Sequence, residues 1–188
     1  MVRLKHMIHW GKMAWRTLTS SLTFFYGHLS LVALSLVPSS FRAYQMWHHL
    51  DTPFWMEAAV ELTRVVLFLM MIAFLADRRI HHLKQKEFWI KLGQKSSTVL
   101  QESWPWVFIA QILVFLIVLY GIMNWIILFF VEVTFDSIIK ILTIGEYDPE
   151  AARNAYLFFL KNMSVIPFSL VYMLKMFGIA PLGNVSAE

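Results

Sequence analysis

Residues 104–131 read WPWVFIAQILVFLIVLYGIMNWIILFFV, and nothing in the run carries a charge. Glu102 and Glu132 bracket it, and Gln111 and Asn124 are its strongly polar interior side chains. About 20 apolar residues are enough for a helix to cross a bilayer core. A transmembrane helix over 104–131 is therefore the expectation, and the rest of the chain is read around it.

Composition points the same way. Of the 188 residues, 59% are hydrophobic and 15% are charged, whereas a soluble domain carries about 25% charge. The length suits a single membrane-embedded domain of a few spans. The chain has no cysteine, which excludes disulfides, thiol chemistry and Cys-ligated metal.

Working outward, three further spans are expected at 20–37, 54–76 and 155–177. The first is closed by Pro38 and the serines after it. The second starts at Asp51-Thr52-Pro53, a capping side chain followed by proline. The fourth starts at Asp148-Pro149-Glu150, is bent by Pro167 and is stopped by Gly178 and Pro181. Residues 1–19 form an amphipathic helix. Leu4, Met7, Ile8, Ala14, Trp15 and Leu18 lie on one side, and Lys5, His9, Lys12 and Arg16 on the other. That pattern fits a helix in the membrane interface or one packed on the protein's own cytoplasmic face. The fold class expected is all-α: a polytopic bundle of four transmembrane helices with an interfacial N-terminal helix.

Between the spans lie a basic connection, 77–103, expected to break near Gly93, and an acidic one, 132–154, expected to hold a surface helix. Lysine and arginine number eleven on the side of the two termini and 77–103, against three on the other. The excess places the termini and 77–103 in the cytoplasm, most simply at the plasma membrane. Lys5, Lys12, Arg16, Arg78, Arg79, Lys84 and Lys86 then face anionic lipid headgroups. Nucleic acid is not an expected partner, because the basic residues flank apolar spans.

Charge inside a bilayer costs about 2.5–3.5 kcal/mol per group at a helix centre, so each such residue needs a reason. Glu57, Glu61 and Arg64 share one face of the second span. Arg64 lies roughly 16 Å along its helix from Pro53 and Lys161 roughly 18 Å from Pro149, at about 1.5 Å per residue. With His28 and Asn124 they fall in the outer half of the bundle. Two readings follow. The six line a polar cavity that holds an ion, proton or small polar ligand. Otherwise Glu61 pairs with Arg64, Lys161 snorkels outward, and the set fixes helix register.

Two fragments resemble known patterns. Phe24-x-x-x-His28 resembles part of the CAAX-type intramembrane protease motif, but the paired glutamates that should precede it are absent. Glu57-Ala58-Ala59 resembles the glutamate-alanine-alanine loop of ABC importer permeases, but the following glycine is missing. Each covers a few residues, and no family is assigned. With no catalytic or cofactor motif, no cofactor is expected. The functional expectation is a non-catalytic accessory or regulatory subunit of a membrane complex, touching other subunits or its own copies. The alternative is a small transporter or channel component using the outer polar cluster.

Overall fold

The computed structural model describes residues 2–49, 52–142 and 147–182, with side chains from residue 6 onward, Leu142 aside. The expected Asp51 cap and the Lys5 side chain lie outside the described residues. Every described element is helical: α1 (Val2–Gly27), α2 (Leu29–Trp47), α3 (Phe54–Leu75), a 3-10 turn (Ile80–Lys84), α4 (Lys86–Ser103), α5 (Trp106–Val114), α6 (Met123–Leu142), α7 (Pro149–Met163) and α8 (Val165–Met176). A π-helical stretch, Phe115–Ile122, joins α5 to α6 without a break.

By length and composition three helices can cross a membrane: Phe54–Leu75, Trp106–Ile141 and Pro149–Met176. Such helices suit an integral membrane protein. A fourth crossing is counted only if α1 and α2 are taken together, and those two helices meet at 83°. The expected straight span 20–37 is therefore corrected. The chain turns in its middle, and the boundary expected at residue 19 falls at Gly27.

The elbow has a local cause. His28 Nδ1 lies 2.7 Å from the Phe24 carbonyl, which a continuous helix would offer to the backbone N–H of His28. That N–H bonds Phe25 O instead, at 3.2 Å. A side chain that competes for a ladder carbonyl weakens and bends a helix, here the backbone N–H has also left that carbonyl, and Gly27 beside it adds little helix preference. Pro38 does not end α2. It sits mid-helix and buried, and α2 continues through the expected connection to Trp47.

α2 runs antiparallel to α7, and small residues allow the close approach. Ser35 and Ser39, one turn apart, are fully buried on α2, and Ala151, Ala152 and Ala155 are buried on α7. The Ser35 hydroxyl reaches Met163 Sδ at 3.5 Å. At the other end the Trp47 and Tyr147 rings are 6.3 Å apart, and His49 Nε2 lies 3.0 Å from Asp148.

α1 packs on α5 and α8. Ala14, Leu18, Ser21 and Phe25 are buried at spacings of four, three and four, one helix stripe. Met7, Ile8 and Trp15, expected on the same side, are exposed. The rings of Trp10 and Trp106 stack at 5.3 Å, and Gln111 Nε2 donates to Thr17 Oγ1 at 3.2 Å. Deeper, the fully buried Tyr172 donates to the Gln111 carbonyl at 2.9 Å and ties α8 to α5. Tyr172→Phe should cost about 1 kcal/mol, measured as a shift in the unfolding midpoint in detergent.

Three other boundaries differ from expectation. α4 runs unbroken through Gly93, which is exposed and has open space where a side chain would be. Its Phe88 and Leu92 are the buried contacts of an amphipathic helix. The surface helix expected after Glu132 is the continuation of α6, because no glycine or proline interrupts residues 132–141. At about 1.5 Å per residue, the 36 residues of Trp106–Ile141 extend well beyond a core of about 30 Å. The fourth apolar stretch is interrupted at Ser164, three residues before Pro167. A proline ring displaces the carbonyl four residues back and leaves it without a donor, which accounts for a break one turn upstream. Asp148 caps α7 as expected, accepting from Glu150 N at 2.9 Å.

Candidate functional site

Four charged residues, Arg42, Glu57, Glu61 and Arg64, gather where the C-terminal half of α2 meets the first half of α3. Arg42 and Glu57 form a two-pronged pair, Nη1 to Oε2 and Nη2 to Oε1, each 3.0 Å. Gln45, 2% exposed, completes the contact. Its Oε1 accepts from Arg42 Nη1 at 3.1 Å, and its Nε2 donates to Glu57 Oε2 at 3.0 Å. One turn along α3, Arg64 donates to Glu61 at 2.6 Å and to Asn162 Oδ1 of α7 at 2.9 Å. Asn162 is buried and returns its own N–H to the Phe158 carbonyl at 2.8 Å. Arg42 also lies 4.0 Å from Glu61, so the two pairs form one chain of alternating charge.

The cluster holds two guanidinium groups and two carboxylates and is formally neutral. The forked Arg42–Glu57 geometry is the strongest form of this contact, since two parallel charge-assisted bonds fix both partners. Glu57 sits in the first turn of α3, where the helix dipole favours an anion. One atom stands apart: Arg64 Nε is buried with no hydrogen-bond partner.

Of the six residues expected to converge, Glu57, Glu61 and Arg64 do. Glu61 pairs with Arg64 as the register reading required. His28 lies at the opposite end of α2, in the elbow, between the rings of Phe24 and Phe74. Asn124 bonds the Tyr120 carbonyl of its own helix at 2.8 Å. Lys161 Nζ lies 6.0 Å from the centre of the Phe158 ring, on its own helix. Reading the first span as 20–37 moved Arg42 and Gln45 into a connection and kept them out of the set. The usable signal was the spacing Ser35, Ser39, Arg42, Gln45, one polar stripe of a helix that continues past Pro38.

Of the residues assigned to anionic lipid, Lys12, Arg16, Arg79, Lys84 and Lys86 are exposed. Arg78 is half-buried and donates to the Leu182 carbonyl at 3.1 Å. Among the described residues no group of three or more His, Asp or Glu is placed to hold a metal ion. No family model, curated protein or solved structure matches this chain.

Proposed function

We propose that this is an integral membrane protein of four crossings, α3, α5–α6, α7–α8 and the elbowed α1–α2 pair, with the start of α1 and all of α4 at the cytoplasmic face. Its role is that of a non-catalytic accessory or regulatory subunit. The observation that carries the role is the cluster at α2, α3 and α7. Its charges are matched within the chain, by a forked pair and an Arg–Glu–Asn relay. Matched charge of this kind serves helix register better than exchange of a ligand. The uncovered surface of Trp106–Ile141, where 11% of the most apolar stretch is buried, offers lipids or other subunits a broad face. Both termini and residues 77–103 lie in the cytoplasm on the lysine and arginine count. The plasma membrane is the simplest host, and anionic headgroups face the exposed cations of α1 and of residues 79–86.

The test is extraction in a mild detergent followed by native gel migration. Co-migration with other membrane proteins at a fixed ratio is expected. A lone protomer that carries solute across vesicles by itself would overturn the subunit role.

A second reading has one observation in its favour, the unpartnered Arg64 Nε. A buried donor without a partner is costly and could meet a small polar ligand in a transporter or channel component. Glu61→Gln, which removes the carboxylate beside Arg64, separates the readings. Normal assembly with lost uptake supports the transporter, and parallel loss of assembly supports the register role.

A further inference from the structure

The elbow between α1 and α2 opens onto a cleft of about 510 Å³. Phe24, Phe74 and Pro181 form apolar wall, and His28, Asp77 and Lys175 bring polar atoms to it. None of these belongs to the charge cluster at the far end of α2. The cleft lies where α3 and α8 both leave their apolar runs: Leu75 ends α3 just before Asp77, and Lys175 is in the last turn of α8. In a bilayer that is headgroup depth.

The polar groups define what fits. A carbonyl can only accept, so the 2.7 Å contact to Phe24 O puts the proton on His28 Nδ1. In the neutral ring Nε2 is then an acceptor. Ring contacts at 4.3 Å to Phe24 and 5.4 Å to Phe74 hold the imidazole in place. Lys175 gives N–H bonds to Ser20 O at 2.8 Å and Ser20 Oγ at 3.0 Å, and an ammonium has one more to give. The cleft therefore offers one cationic donor and two acceptors, the imidazole Nε2 and the Asp77 carboxylate. A bare phosphate satisfies Lys175 and is opposed by Asp77. A quaternary amine has no N–H for the imidazole. A phosphodiester joined to a primary ammonium complements all three.

We infer that this cleft seats the headgroup of an amine-bearing phospholipid, its phosphodiester on Lys175 and its ammonium on His28 and Asp77, with acyl chains along the Phe24 and Phe74 wall. Such a ligand presupposes the membrane-embedded chain proposed above, and the two fail separately. A protein that does not float with vesicles refutes the membrane reading. One that floats but shows no headgroup preference refutes the cleft alone.

The experiment is lipid retention by the full chain in detergent, offered equal phosphatidylethanolamine, phosphatidylglycerol and phosphatidylcholine, with bound lipid counted by native mass spectrometry. Phosphatidylethanolamine should be retained roughly tenfold over the others, the factor expected of one charge-assisted hydrogen bond. Lys175→Met should lower the retention of all three lipids together, because each carries the phosphodiester, and leave their ratio to His28 and Asp77. Asp77→Asn should bring phosphatidylglycerol level with phosphatidylethanolamine. Asp77 is exposed at φ 54°, a conformation asparagine tolerates, so that variant keeps the fold. Equal retention of the three lipids, or a preference unchanged by Asp77→Asn, would overturn the assignment. So would full displacement of the lipid by soluble glycerophosphoethanolamine, which would make the ligand a free headgroup compound.

Discussion

Glu57→Gln should lower the stability of the bundle by about 2–4 kcal/mol. The substitution keeps the shape of the side chain and removes its charge. Arg42, 16% exposed, is then held between α2 and α3 without its forked partner. Glu61 at 4.0 Å cannot take over fully, because it already accepts from Arg64. The range is set below the largest losses for buried pairs because Glu57 itself is 43% exposed. Removing both ends of the pair is a different matter. An apolar pair of similar volume is often neutral relative to a buried ion pair, so Arg42→Met with Glu57→Met should recover most of the loss. Reversible unfolding in mixed micelles, followed by tryptophan fluorescence, reads both. If Glu57→Gln leaves the midpoint unmoved, the cluster does not hold the helices together, and the register role fails with it.

Gly178→Ala should be comparably damaging, about 2–4 kcal/mol, from strained backbone and overpacking together. Gly178 ends α8 at φ 80°. Its N–H bonds Lys175 O at 2.9 Å, and the next N–H, of Ile179, bonds Leu174 O at 2.9 Å, so the left-handed turn satisfies the last carbonyls of the helix. A methyl group here would stand 2.7 Å from Val99 Cβ and 3.1 Å from one of its methyls. Val99 belongs to α4 and is branched at the contact, so it cannot rotate away. Ser96 and Lys95 bond the Phe177 and Pro181 carbonyls, which docks the same segment on α4. Adding Val99→Gly to Gly178→Ala removes the Cβ at 2.7 Å together with both methyls. Set against Val99→Gly alone, to subtract the cost of about 1 kcal/mol for a glycine inside α4, the double variant should restore the steric share and leave the backbone share. If Gly178→Ala costs as much beside Val99→Gly as it does alone, the close approach of α4 and α8 is not what requires glycine.

Helix class and the capacity to cross a membrane were legible in the chain because they depend on local runs. The uncharged stretch 104–131, the Asp148 cap and the Gly178 stop are read within a few residues of themselves. The pairing of Glu61 with Arg64 was legible for the same reason, since three residues apart on a helix is a contact whatever surrounds it. The elbow at His28 was not. It rests on an imidazole taking one carbonyl from the helix ladder, and nothing in hydropathy separates that from a histidine riding on a straight span. That one turn moved the helix start from residue 20 to Leu29 and its end from residue 37 to Trp47, put Arg42 and Gln45 against Glu57, and carried His28 to the other end of the bundle. Apolar runs state which solvent a helix requires. Which charge meets which across two helices depends on bend and register, and those come into being only when the helices pack.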